Sequence, residues 1–526
     1  MRRLFASDKR FRVFVIFFAA LLGFIVRYPY LSFEAGFPVG DGGLFMEMIY
    51  AIKANGYLLP EYVNFNKTQI PFAYPPVGFY LALLSSKVFG ISLLQSAQIV
   101  PVVLNLLTIA VFVLLAAELG IDRVELFLCS GVFSVVLQTY LWTVKGGGLS
   151  RSPGFLFTTM ALYFFLSHLR RGKRLYLFLS AVAFGLAAAS HLEWGLLCMA
   201  SLIVFVLFFG RYKNVQDFYA LAFFAGAAAL VTVPWWGVVV SRFGLTPFLN
   251  AWNVAEMDAS QFFEKFFAGS MFRITIFPAK DYLLPVFGLV GFISTLFSRE
   301  RSLIPVWLLV TYLAAPKNSP ISGLLPAAVL TAIGLRNIDR GARHLFRKIN
   351  RRFSGDVQPG IGIIYFLFVL VFSIPVLFDK PVLRALTPVE RAAMEYIAEN
   401  TPDDARFIVL TLNDWHSADA AEWFPRLSQR QSLTTPQGLE WVSAAEFNKI
   451  VGQVAVLSQM ARDEQAGIET GRLADFIESN FTDYDYVAIF AGHVEKEFGG
   501  FLDTDRFEVF YRKSDALILR RIPNSQ

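Results

Sequence analysis

Only two cysteines, Cys129 and Cys198, occur in the 526 residues, and both lie inside apolar runs. Neither a disulfide framework nor a thiolate metal site is therefore available to this chain. No small-residue cleavage motif follows the first apolar run, FVIFFAALLGFIV, so the basic N-terminus and that run read as a retained first helix rather than a removable signal. Internal repeats of the kind that build many transporters are also missing. Acidic residues are scarce in one part of the chain only. Before residue 379 there are 17 Asp and Glu against 32 Lys and Arg, and from 379 onward 24 against 15. The basic excess thus sits in short loops between apolar stretches, where membrane topology places it, and this excludes a nucleic-acid-binding reading.

Hydrophobic residues make up 55% of the chain and the mean hydropathy is +0.51, too apolar for an ordinary soluble protein. Apolar stretches of membrane-spanning or nearly spanning length recur from about residue 11 to about 378, after which polar sequence takes over. Two domains follow: a polytopic helical membrane domain over 1–378 and a soluble α/β domain over 379–526. Basic loops at Arg2 to Arg12, Arg170 to Arg174, Arg211 to Lys213, Arg299 to Arg301 and Arg336 to Arg352 mark the inner side. The N-terminus is then cytoplasmic, and the first loop and the C-terminal domain share the extracytoplasmic side of a multi-pass cell-membrane protein. Three apolar segments lie between the outer positions near residues 74 and 146, and an even number of crossings is required. The short segment 75–90, which opens Pro-Pro and carries Lys87, is expected to lie at the membrane surface, leaving about eleven transmembrane helices.

The most informative stretch is the first outer loop, FEAGFPVGDGGLFMEMIYAIKANGYLLP, followed by FAYPPVGFYL. Asp41 lies there between glycines, ahead of an amphipathic helix. The GDGG and AYPPVGFYL motifs, the many spans and the trailing outer domain together resemble the GT-C superfamily of membrane glycosyltransferases. The nearest branch is that of protein O-mannosyltransferases and aminoarabinose transferases. The resemblance implies a polyprenyl-phosphate-linked sugar donor, a glycan, lipid or protein acceptor, and inversion at the sugar carbon. Members commonly show an acidic pair at the first-loop position, whereas here Asp41 is followed by Gly42.

A polyprenyl phosphate is already a good leaving group, so one base suffices where a glycosidase needs two carboxylates. Asp41 is the candidate for that base. It could equally help to hold a divalent cation such as Mg or Mn, which nothing in the pattern requires. Asp41 also stands where a helix cap would. Glu47 lies six residues on in the same helix, turned away from Asp41, as a solvated or substrate-binding residue. Lys145 and Arg151 flank KGGGLSRSPG and could bind the lipid phosphate or snorkel to headgroups, with Arg273 as a further candidate. His191 and Glu193 in SHLEWG are candidates for substrate contact. In the tail, Trp415, His416, Glu422, Trp423, Glu440 and Trp441 form either a sugar-binding face or a packing surface against the membrane domain. The rival function is a transporter or lipid flippase with an extracytoplasmic accessory domain.

The topology is testable with single cysteines in place of Gly56 and Lys145, in a variant lacking Cys129 and Cys198. Both should react with a membrane-impermeant maleimide added from outside. Labelling at position 145 only after permeabilisation would mean that 75–90 crosses the bilayer.

Overall fold

The computed structural model describes residues 9–31, 40–144, 148–209, 215–255, 283–298, 301–315, 323–349, 386–466, 472–491 and 506–522, with Phe37, Ile321, Gly360, Ile364, Leu367 and Val371 as isolated positions. The membrane part begins with α1 (Lys9–Arg27) and α2 (Gly42–Ala54), followed by the hairpin β1 (Tyr62–Phe65) and β2 (Thr68–Pro71). Then come α3 (Val77–Phe89), α4 (Leu93–Glu118), α5 (Arg123–Val135), α6 (Leu141–Val144), α7 (Gly148–Arg171), α8 (Arg174–Ala188), α9 (Leu192–Phe209), α10 (Val215–Phe243) and α11 (Thr246–Ala255). The helices α12 (Leu283–Leu296), α13 (Leu303–Ala314) and α14 (Leu324–Ile349) follow. Among the described residues, three segments are long and apolar enough to cross a bilayer by length and composition: Leu93–Glu118, Leu192–Phe209 and Phe218–Phe243. Further apolar helices among the described residues, such as α8, α12 and α13, are shorter than this criterion asks, so the described residues do not confirm the expected total of about eleven. At about 1.5 Å per residue, α3 reaches only ~20 Å against a hydrocarbon core of ~30 Å.

Two ends of the bundle can be told apart. Arg151 in the first turn of α7 and Arg171 at its last residue are separated by roughly 30 Å at about 1.5 Å per residue, the thickness of the hydrocarbon. At the Arg171 end, acids and bases from loops far apart in sequence pair up. Arg171 bonds Glu118, Arg301 bonds Glu125 at 2.9 Å, and Arg340 bonds Asp122 at 3.1 Å. Asp122 and Glu125 also form a capping box that starts α5. On the other end, the fully buried Arg27 fixes the approach to α7. Its guanidinium donates to Asn105 Oδ1 at 2.5 Å and to the Ser134 carbonyl at 2.7 Å, and lies 4.9 Å from the Tyr140 ring centre. Asn105 in turn donates to the Thr139 carbonyl at 2.8 Å, so a buried charge is satisfied and α1, α4 and the α5–α6 turn are tied together.

The C-terminal part contains α15 (Pro388–Asn400), β3 (Arg406–Thr411), α16 (Asp419–Ser428), β4 (Gln431–Ser432), α17 (Ala444–Gln465), α18 (Arg472–Asn480), β5 (Tyr486–Phe490), β6 (Phe507–Lys513) and β7 (Ala516–Arg521). The strands form one sheet in the order β4-β3-β5-β7-β6. β3 runs parallel to β4 and β5, and β7 runs antiparallel to β5 and β6. The runs FIVL, YVAIF and ALIL are continuously apolar because both faces are covered. Ile408, Leu410, Val487, Ile489, Leu517 and Leu519 face α17 and α18. Their neighbours Phe407, Val409, Tyr486, Ala488 and Ile518 join a core that also holds Leu44, Phe45, Met48, Val63, Ile70, Phe72 and Phe79 from the first outer loop.

The first loop is thus packed as a layer of the C-terminal sheet. Hairpin residues Asn66 and Lys67 both take positive φ, the conformation of a tight two-residue turn. Asn66 then reaches across the interface, donating to the Ser432 carbonyl at 2.7 Å and accepting the Ser432 N–H at 2.6 Å. At the start of α2, a Cβ on Gly43 would lie 2.5 Å from the Glu422 carbonyl oxygen and one on Gly42 2.9 Å from the Trp423 ring. The glycines of GDGG are there because α16 lies against them. Gly78 plays the same part for AYPPVGFYL, since a Cβ there would collide with the Leu149 carbonyl at the entry to α7.

A Gly43→Ala variant should therefore overpack this contact and cost about 1–3 kcal/mol. The expected result is a lower Tm in detergent and faster protease cleavage of the C-terminal part; an unchanged Tm and cleavage rate would show that the α2–α16 contact yields easily.

Candidate active site between the first loop and the C-terminal domain

Asp41 is the last residue before α2, with φ 65° and ψ 12°, and its side chain makes no capping hydrogen bond. Its carbonyl accepts the Phe45 N–H at 2.8 Å and so begins the helix. The carboxylate is half-buried and lies within the electrostatic reach of Arg151 and Tyr74. Burial raises its pKa above the usual aspartate range, and the Arg151 charge partly opposes the rise.

Two further carboxyl groups come from the C-terminal domain. Glu422 on α16 is 1% exposed, and its Oε1 accepts the Gly43 N–H at 3.3 Å. Burial first, then the Asp41 and Asp419 charges, hold its pKa well above the glutamate range. Glu440 accepts the Gly438 N–H at 2.7 Å; burial and the Asp41 charge push it up to about 8. Three acids sharing one desolvated site cannot all ionise at neutral pH.

On the membrane side, Tyr74 lies edge-on to Phe45 and to Trp441, with its hydroxyl 3.3 Å from Ser150 Oγ. Burial and the Asp41 charge raise its pKa, so it is a neutral phenol. Arg151 is half-buried with its guanidinium 5.6 Å from the Trp142 ring centre, and no ion pair to it is found among the described residues. Trp142 in turn lies 6.1 Å from the His416 ring of the C-terminal domain. His191 lies in the link between α8 and α9, close enough to feel the Arg151 charge, and its Nδ1 is buried with no hydrogen-bond partner among the described residues. Burial and Arg151 lower its pKa to about 3, so the imidazole is neutral.

Asp41, Arg151 and His191, far apart in sequence, are thus brought together. Glu47 is not part of this group: it pairs with Arg426 of α16 at 2.9 Å, and Arg426 lies over the Tyr50 ring at 4.8 Å. Glu193 stands in the first turn of α9, next to Trp194, which stacks on Phe155 at 4.5 Å. Lys145 and Arg273 lie outside the described residues. No group of three or more His, Cys, Asp or Glu suited to a metal ion occurs among the described residues. Glu422 and Glu440 belong to the tail group read from sequence as a sugar-binding face or a packing surface against the membrane domain; their closeness to Asp41, and the place of Tyr74 beside it, were not foreseen.

Residues 73–237 match the model of the dolichyl-phosphate-mannose-protein mannosyltransferase family. No curated protein matches the chain by sequence. Among solved structures, the Archaeoglobus fulgidus oligosaccharyltransferase tethered to an acceptor peptide is similar with a TM-score of 0.57 at 12% identity, over 98% of this chain and 74% of that one. ArnT from Cupriavidus metallidurans, bound to undecaprenyl phosphate, is similar with a TM-score of 0.52 at 13% identity, over 98% and 99%. Arabinofuranosyltransferase AftD from Mycobacteria has a TM-score of 0.53 at 14% identity, over 100% and 41%. The chain has the fold of GT-C membrane glycosyltransferases, and the enzyme class that its first-loop motifs imply agrees with the family model and with these neighbours.

The state of Glu440 has a consequence for stability. Its pKa in the folded protein exceeds the ~4.3 of a free glutamate. Folding therefore takes up a proton, and the associated stability is present below that value and lost as pH rises towards 8. Melting of the wild type and of Glu440→Gln should coincide near pH 4, with the wild type falling behind by pH 9. A gap that stays constant with pH would show that Glu440 titrates as a free glutamate does.

Proposed function

We propose that this protein transfers a sugar from a polyprenyl-phosphate donor to an acceptor hydroxyl or amine on the extracytoplasmic side of the membrane, with Asp41 as the single base of an inverting displacement. The observation that carries the reading is the nearness of a desolvated Asp41, whose side chain makes no capping bond, to an Arg151 that forms no ion pair among the described residues. The acceptor atom attacks the anomeric carbon, and the bond from that carbon to the phosphate oxygen breaks. The acceptor proton passes to Asp41, and the electron pair leaves with the polyprenyl phosphate, which goes from one negative charge to two. A raised pKa makes Asp41 a better base at neutral pH than a solvated aspartate. Arg151, aimed at the site from the first turn of α7 and held over Trp142, offsets the charge growing on the phosphate. His191 is a neutral donor or acceptor for a sugar hydroxyl. Lys145, Arg273 and Glu193 remain candidates for donor or acceptor contact. The transporter reading loses ground because the fold is shared with transferases and the polar cluster sits at one bundle end rather than midway.

Asp41→Asn should insert and melt nearly as the wild type does while transferring radiolabelled sugar from polyprenyl phosphate at least about a hundredfold more slowly. Arg151→Met should weaken binding of undecaprenyl phosphate by about 1–3 kcal/mol, the loss of a charge-assisted hydrogen bond. Wild-type turnover in the Asn variant would remove Asp41 from the chemistry, and unchanged affinity in the Met variant would move the phosphate elsewhere.

A further inference from the structure

The first turn of α2 lacks a cap of its own. A helix N-cap normally takes an extended backbone and turns its side chain onto the N–H of the second or third helical residue. Asp41 holds that position but is in the left-handed region, and its carboxylate bonds none of those donors. The N–H of Gly43, second residue of the helix, instead points to Glu422 Oε1 at 3.3 Å. Glu422 is 379 residues away and 1% exposed, so its carboxyl has been taken out of water to meet the positive end of α2. Gly42 and Gly43 are the positions at which any side chain would block this approach.

We propose that Glu422 is a positioning residue: it caps α2 from the C-terminal domain in place of Asp41 and so leaves the Asp41 carboxylate free to face Arg151 and the substrate. The inference rests on the reading of Asp41 as the reacting carboxylate. It also gives the C-terminal domain a part in transfer, because a chain without α16 would let Asp41 turn back onto its own helix.

The test combines hydrogen exchange with turnover on the full-length protein in detergent, using a polyprenyl-phosphate hexose as donor and undecaprenyl phosphate as the binding probe. Glu422→Ala should speed exchange of the amides of residues 41–45 at least tenfold. It should lower kcat at least tenfold and leave undecaprenyl phosphate affinity within twofold, because Arg151 is untouched. Glu422→Gln, whose amide oxygen can still accept the Gly43 N–H, should restore protection and bring kcat to within about threefold of wild type. Asp41→Ala should leave the exchange of these amides unchanged. Fast exchange in Asp41→Ala with full protection in Glu422→Ala would overturn the proposal. Equal loss of kcat in the Gln and Ala variants would overturn it as well. Loss of protection in Glu422→Ala with undiminished turnover in Asp41→Asn would sustain the cap and overturn only the base assignment.

Discussion

Much of this structure depends on one contact between a buried carboxyl group and the start of a helix. Glu422 reaches the N-terminus of α2, and the requirement that nothing stand between them accounts for the two glycines that follow Asp41, Gly42 and Gly43, for the closeness of α16, and for the core shared by the first loop and the C-terminal sheet. With the helix end satisfied from outside, the residue that would ordinarily do so is released. An aspartate in a left-handed conformation is unusual enough to need support, and here the support comes from packing on both sides of it.

The electrostatics of the site follow from the same crowding. Three acids, one arginine and one neutral histidine lie where water is largely excluded, and burial outweighs pairing in setting the acids' proton affinities. A site of this kind carries little negative charge when empty, which suits a phosphate-bearing donor. The acid next to Asp41 in space, Glu422, is a residue of the tail.

Parts of this were legible in the sequence because they depend on local pattern. Hydropathy and the placement of Lys and Arg outline the membrane part, and the apolar runs in the tail read as strands of an α/β domain. Asp41 stood out because it lies between glycines just outside an apolar run. Glu422 was read only as one of a group in the tail, since its particular meaning comes from a partner 379 residues away that the sequence does not reveal. The β1–β2 hairpin was hidden for a related reason: its strands are four residues each, too short for an alternating pattern to show. Glu47 could be placed away from Asp41 by helical geometry alone, but its partner, Arg426, could not be named. Among the described residues the length criterion picks out three spans, because apolar helices such as α8, α12 and α13 are shorter than a straight crossing requires.

The Asn66 clasp on Ser432 joins a turn to a strand made 366 residues later. During translation the first loop emerges with its apolar side uncovered and its helix uncapped, and it must wait through the insertion of every later span before the sheet that covers it exists. Such a long-range closure is slow to form. The surroundings of Asp41 are consequently completed only when the tail has reached the side of the first loop. A chain interrupted before α16 and β4 would keep its first helices and still leave the start of α2 uncovered.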